Sequence, residues 1–268
     1  ALVNYQIERP EPQVSEDFPK ELEFMELIYK RYSRIDDAPI LARLGQCGSA
    51  GISGKRDDVL ETARSLIVHA CTHHWFDEVK IAVAVSPVSI AEWNWAFYLP
   101  HYHSGFRVNK VSQDTQSNLP LPGLLSRLEE ELQKREQTVI AQKIVNKDDQ
   151  VGSAMIPLPR LIVIFDYLPM GFTHPAIQLL LEKGPSLGVI GIFLTDNETH
   201  IPGECGIAIK RERSALRYDE IGARGYHREC FPDSISRSNT ELFAQALATV
   251  PWPRNEQNFQ PPETITFL

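Results

Sequence analysis

Val79–Val85 reads VKIAVAV and Leu161–Phe165 reads LIVIF. Unbroken runs of β-branched and aliphatic residues of this length suit strands buried on both faces, because a half-exposed strand would alternate. Pro87 closes the first run and Asp166 follows the second. A third run over Gly188–Leu194 has the same character, and Cys205–Ile209 suggests a further strand. Between these runs the period changes. Val59, Leu60, Ala63, Leu66, Ile67, Ala70 and Cys71 recur at helical spacing from Asp57 to His74, and shorter helical patterns cover Glu21–Tyr32, Gly123–Gln137, His174–Lys183 and Ser238–Thr249. Strands that alternate with helices pair in parallel through right-handed crossovers. The fold class is therefore α/β, a mostly parallel sheet covered by helices on both faces.

A chain of 268 residues with 43% hydrophobic and 23% charged residues can bury a large core and is unlike a disordered or coiled-coil sequence. Asp and Glu outnumber Lys and Arg by 35 to 27, so the whole molecule repels phosphate backbones. The densest basic cluster, Lys210, Arg211, Arg213 and Arg217, is interrupted by Glu212 and followed by Asp219 and Glu220, which reads as a solvated mixed-charge face. Nucleic acid is accordingly not an expected partner. Four cysteines without CxxC spacing argue against a metal knuckle or a disulfide framework. No apolar run reaches the roughly 18 residues of a membrane span. The chain starts at Ala1 with Pro10 and Pro12 close behind, and reads as a piece of something longer. Residues 1–19 are expected to be an extended lead-in, 20–250 the domain, and 251–268 a linker into a following unit.

The segment after Ile40–Leu44 runs Gly48-Ser-Ala-Gly51-Ile-Ser-Gly54-Lys55-Arg56-Asp57. A glycine-dense turn before a long helix is where backbone N–H groups and a helix N-terminus can cradle phosphate. The working motif needs Ser or Thr after Lys to hold Mg²⁺, and Arg56 stands there; its first glycine would fall on Ser49. The partner acid that organises the metal at the end of a neighbouring strand is matched by Asp166, but Tyr167 occupies the place of the Glu that activates water. Gly51, Gly54, Lys55, Arg56 and Asp166 are thus the candidate binding residues of a degenerate nucleotide site. No catalytic residue and no metal ligand is assigned. If the loop is a relic, Lys55 should project into the cleft of Asp166 and could pair with it. His73-His74 and His101-x-His103 lack the spacing of a metal site. Trp93 and Trp95, two apart, should diverge on a helix, one packing on the sheet and one facing a partner or second layer.

Taken in order, Arg43-Leu-Gly45, Gly51-Ile-x-Gly54, Ala63-Arg64-x-Leu66-Ile67, His73-His74-x3-Glu78-Val79, Trp93-x-Trp95-x3-Leu99-Pro100-His101 and Leu161–Asp166 resemble the FtsK/SpoIIIE superfamily. More closely they are similar to the degenerate ATPase-like domain of the EccC/EssC motors of type VII secretion. The resemblance implies a RecA-like, P-loop NTPase-like fold. It further implies a non-catalytic or weakly nucleotide-binding module, with a structural or regulatory coupling role, in a membrane-anchored translocase for protein transport whose parent chain is an ATPase. No cofactor is expected, or at most weakly held ATP and magnesium. The implied partners are neighbouring ATPase domains of the same chain and other secretion-complex subunits, with the membrane reached only through segments outside this chain. The implied location is the cytoplasmic side of a bacterial cell membrane. Two other readings stay open on the residues themselves: a divergent active ATPase using Lys55 on phosphate and Asp166 on Mg²⁺, and a protein-binding module without nucleotide chemistry. One internal echo supports a multi-unit parent, since Pro19–Met25 and Pro262–Leu268 share P-x-x-[LI]-x-F-[ML].

Overall fold

A computed structural model describes residues 2–6, 19–32, 34–106, 121–148, 158–167, 172–221 and 226–250. The expected linker over 251–268, and with it the second copy of the P-x-x-[LI]-x-F-[ML] pattern, lies outside them. At the start of the chain, β1 (Leu2–Gln6) pairs antiparallel with β2 (Arg34–Pro39), with α1 (Pro19–Tyr32) between them.

The main sheet has seven strands in the order β4-β5-β6-β3-β7-β8-β9. Their ranges are β3 Ala50–Gly54, β4 Val79–Val85, β5 Arg160–Asp166, β6 Val189–Thr195, β7 Ile207–Glu212, β8 Ala215–Glu220 and β9 Tyr226–Cys230. The first five strands in that order are parallel, and β8 and β9 add antiparallel. The apolar runs around Val79, Leu161 and Gly188 therefore form adjacent parallel strands, as their composition requires. Expected to be central, β4 is instead the outermost strand. Its free edge is covered by the chain at 101–103: Ile81 N–H donates to the His101 carbonyl and His103 N–H to that of Ile81, both at 2.8 Å. An edge shielded in this way can be as apolar as a central strand.

The order of the strands dictates where the helices lie. From β3 the chain crosses to the far edge at β4 through α3 (Arg56–His73), then reverses, stepping back through α4 (Leu121–Asp148) to β5 and through α5 (Pro175–Lys183) to β6. With right-handed crossovers, a reversal puts α3 on one face and α4 and α5 on the other. Of the helical-period set, Val59, Leu60, Ala63, Ile67 and Cys71 are buried along α3, with Thr62 and Arg64 beside them, and α6 (Arg237–Thr249) packs against this helix. α4 runs past the expected Gln137 to Asp148, so its polar second half is helix rather than loop. The helix α5 starts cleanly because His174 caps it, its Nδ1 accepting from Ala176 N–H at 3.2 Å with Pro175 next.

The aromatic segment is a 3₁₀ helix, Pro87–Tyr98. Both tryptophans are buried, contrary to the expectation that one would face outward: α6 forms a layer over this helix and encloses both sides. Arg237 of α6 fastens the layer by donating to the Glu92 carboxylate and the Ala91 carbonyl.

Two further departures matter for the site. Ile40–Ala42 is irregular and Leu44–Cys47 is a single helical turn, α2, so the strand ahead of the glycines is not where the sequence suggests. The strand is the glycine segment itself: Ala50–Gly54 is β3, buried between β6 and β7. An added Cβ on Gly51 would lie 2.2 Å from the side chain of Ile201. Glycine is needed there for close approach, and β-propensity yields to packing.

Candidate functional site at the carboxyl edge of the sheet

Open parallel sheets bind ligands in the crevice outside the carboxyl ends of their strands, where the crossover direction reverses. Here that edge is formed by Gly54 of β3, Asp166 of β5 and Thr195 of β6. Gly54 adopts φ +144° and passes so close to β7 that a Cβ would lie 2.3 Å from the Arg211 carbonyl oxygen. One residue, Lys55, separates β3 from the first residue of α3. The glycine-dense turn expected over Gly48–Lys55 is therefore not a loop, because its residues have been taken into the sheet.

Asp166 is fully buried, and both carboxylate oxygens are engaged. Arg56 donates in a fork, Nη1 to Oδ1 and Nη2 to Oδ2 (2.9 Å for the second), while Trp93 Nε1–H donates to Oδ2 at 2.7 Å. The guanidinium carbon of Arg56 stands 4.4 Å from the centroid of the Tyr167 ring, within cation–π range. Tyr167 turns over the strand end at φ +45°, the single positive-φ non-glycine among the described residues, and its hydroxyl donates to the Thr195 carbonyl at 2.9 Å. A strained residue held this way joins β5 to β6 directly above the acid.

The strongest charge interactions of the cluster are among its own members. Burial pulls the Arg56 pKa down, and the hydrogen bonds and charge of Asp166 more than offset it, so the guanidinium is held above its ordinary value. Burial raises the Tyr167 phenol to about 12, with the positive charge of Arg56 opposing, which keeps it a neutral donor. A bidentate, stacked arginine is the geometry that most favours guanidinium over ammonium.

Of the five residues the sequence singled out, the structure brings Arg56 and Asp166 together. Gly51 lies inside β3, Gly54 ends it, and Lys55 is exposed. The pairing expected between Lys55 and Asp166 is made by Arg56, because α3 begins one residue later and its first turn carries that side chain over the strand ends. Trp93 and Tyr167 complete the cluster. Tyr167 was legible as a wrong residue beside the acid, whereas nothing local marked Trp93 as a donor to it. The residues do not fit ATP and magnesium: a cation at Asp166 would meet the Arg56 guanidinium, only Lys55 lies between β3 and α3 to surround phosphate, and Asp57 and Asp58 occupy the first turn of α3.

Elsewhere the candidate features resolve into structure. His101 is buried, with Nε2 2.8 Å from the His74 carbonyl, and His103 Nδ1 accepts from Gly105 N–H. Among the described residues no group of three or more His, Cys, Asp or Glu is placed to hold a metal. In the basic cluster, Lys210 pairs with Glu212, Arg217 with Glu198 and Asp219, and buried Arg211 donates to the carbonyls of Glu212 and Arg213.

No family model matches the sequence, and no curated protein matches it. Solved structures do. EssC (ATPases 2 and 3) from Geobacillus thermodenitrificans superposes with a TM-score of 0.53 at 13% identity, covering 84% of this chain and 48% of that one. The cytoplasmic domain of EssC gives 0.51 at 14%, over 84% and 50%, and Thermomonospora curvata EccC (ATPases 2 and 3), in complex with a signal sequence peptide, gives 0.51 at 13%, over 91% and 46%. The chain has the fold of the type VII secretion ATPases EssC and EccC. It spans about half the length of these structures. The mostly parallel sheet expected from the apolar runs is part of this EssC/EccC-like fold, with Asp166 at the carboxyl end of a strand two places from β3. Among the described residues no helix is long and apolar enough to cross a membrane.

Proposed function

We propose that this chain is an ATPase-like module that works without nucleotide, within a membrane-anchored translocase of the type VII secretion kind. Gly51, Gly54, Lys55, Arg56 and Asp166 mark its degenerate nucleotide site. The observation that carries the reading is the Arg56–Asp166 ion pair, sealed by Trp93 and Tyr167 at the carboxyl edge. In a working site, Lys meets phosphate and the strand-end acid meets the metal, and both must be open to the ligand. Here a guanidinium takes the place of the metal's charge, and the acid is shut off from solvent. A module closed in this way cannot cycle between bound and empty states. It would serve as a fixed structural or regulatory element, passing conformational change between a membrane stalk and active ATPase units of the same chain or complex on the cytoplasmic side of the membrane. The EssC/EccC-like fold, and the multi-ATPase chains that share it, support this assignment.

Titration calorimetry with ATP and Mg²⁺, followed by a phosphate-release assay, tests the reading. The expected result is no saturable heat and no release. ATP hydrolysis by the unmodified chain, abolished by Lys55→Ala, would overturn it in favour of an active enzyme.

A further inference from the structure

The amino-terminal edge of the sheet, opposite the plugged site, holds a cavity of about 470 Å³ between β4, the chain at 100–104, α4 and the entry to β5. This is the size range of small-molecule sites. Its lining includes the apolar residues Phe76, Pro100, Tyr102, Leu158 and Pro159. It also includes the cations Lys80, Lys134 and Arg135, with Glu131 the single acid among the lining residues. A surplus of positive charge in a concavity is unexpected on a chain of net charge -8.

Arg135 is the anomaly that gives the cavity a direction. Leu125, Leu128, Leu132 and Arg135 follow one another at helical spacing on α4, and all are buried, Arg135 to 3% exposure. A charge therefore sits where the stripe calls for an aliphatic residue. Its Nε donates to Glu131 at 2.7 Å, and its Nη1 to the carbonyls of Pro159 at 2.8 Å and Leu187 at 3.2 Å, which ties the entries of β5 and β6 to the helix. Those three bonds use Nε and Nη1. Nη2 carries none of them, and the residue lines the cavity. Glu131 is ion-paired to Arg135, and neither Lys80 nor Lys134 is ion-paired to it. Lys80 lies 4.9 Å from the Phe76 ring centroid, and burial lowers its pKa against the opposing charge of Asp77, so a second anion beside it would stabilise a partly desolvated ammonium.

We propose that this cavity binds a small molecule with an anionic group on an apolar body, the anion held by Arg135 Nη2, Lys80 and Lys134 and the body lying on Phe76 and Tyr102. The site is independent of the nucleotide position, since none of its residues belongs to the Arg56–Asp166 cluster.

Phenyl phosphate is a suitable probe, with inorganic phosphate and phenol as its two halves. Titration calorimetry on the whole chain should give saturable one-to-one binding of phenyl phosphate with a Kd of roughly 1 mM or below. Each half should bind at least about tenfold more weakly. Because Arg135 braces two strands, the variants are Lys80→Gln, Lys134→Gln and the pair of them. The double variant should lose at least about tenfold in affinity while its unfolding midpoint is unchanged. Four outcomes would each overturn the proposal: no saturable binding of phenyl phosphate, full affinity in the double variant, equal binding of phenol, or equal binding of inorganic phosphate.

Discussion

The two ends of the parallel sheet place an arginine in opposite ways. At the carboxyl edge, half-buried Arg56 forks onto a fully buried carboxylate, to which Trp93 also donates, and stacks on Tyr167. At the amino edge, Arg135 is far more deeply buried than Arg56, but its carboxylate partner takes only Nε, and two lysines stand nearby without matching acids in the cavity lining. The first arrangement is complete in itself and supports the fold. The second has cationic capacity left over, which is why it reads as a place for something else.

This contrast can be broken most directly at Arg56. Arg56→Ala leaves Asp166 buried with one neutral donor, and the chain should lose about 3 kcal/mol in urea unfolding. Asp166→Asn in the same background should recover part of that loss, because it removes the stranded charge; no recovery would mean that Arg56 acts through packing alone. Gly54→Ala should cost about 2 kcal/mol, since its φ of +144° is strained for any side chain and a Cβ would press on the Arg211 carbonyl. A loss confined to a few tenths would show that the strand end can shift, and with it the narrow gap before α3. Trp93→Phe keeps most of the buried ring and deletes one donor to Asp166. Its expected cost is about 1.5 kcal/mol, read by the same unfolding experiment. At the other edge, Lys80→Gln should change stability by no more than about 0.5 kcal/mol. A cost equal to that of Trp93→Phe would erase the distinction between the two ends.

A separate effect is expected on the alkaline side. Burial raises the Cys71 and Cys205 thiols from 9.0 to about 12 and the Tyr167 phenol from 10.0 to about 12. These groups hold their protons more tightly folded than unfolded, so their contribution is complete below pH 9 and is lost as pH rises from 9 to 12. Denaturation midpoints measured across that window should fall, and Tyr167→Phe should flatten the upper part of the decline. A flat profile would place these side chains in water.

The apolar runs at Val79–Val85 and Leu161–Phe165 were sufficient to specify β4, β5 and their parallel pairing, because a strand with no polar face has to be covered on both sides. The periodic set from Val59 to Cys71 specified α3 in the same way. Asp166 could be picked out as an acid at a strand end, and Arg56 and Tyr167 as residues out of place beside it. What only the tertiary structure decided is what those residues do. Glycine and serine carry little strand propensity, so β3 became visible only where β6 and β7 supply its hydrogen bonds and Ile201 fills the space beside Gly51. The mixed-charge run from Lys210 to Glu220, which reads as a solvated face, is one only in part: Arg211 of β7 is buried, while in β8 Leu216 and Tyr218 are buried and Arg217 and Asp219 are half-buried. The choice of Arg56 over Lys55 as the partner of Asp166 turns on where α3 begins, a matter of a single residue that periodicity cannot fix. Trp93 reaches the acid across 73 positions of sequence, and the cavity around Arg135 gathers separate segments. Local propensity and pattern are carried by neighbours along the chain, whereas charge pairing and cavities are made by neighbours in space.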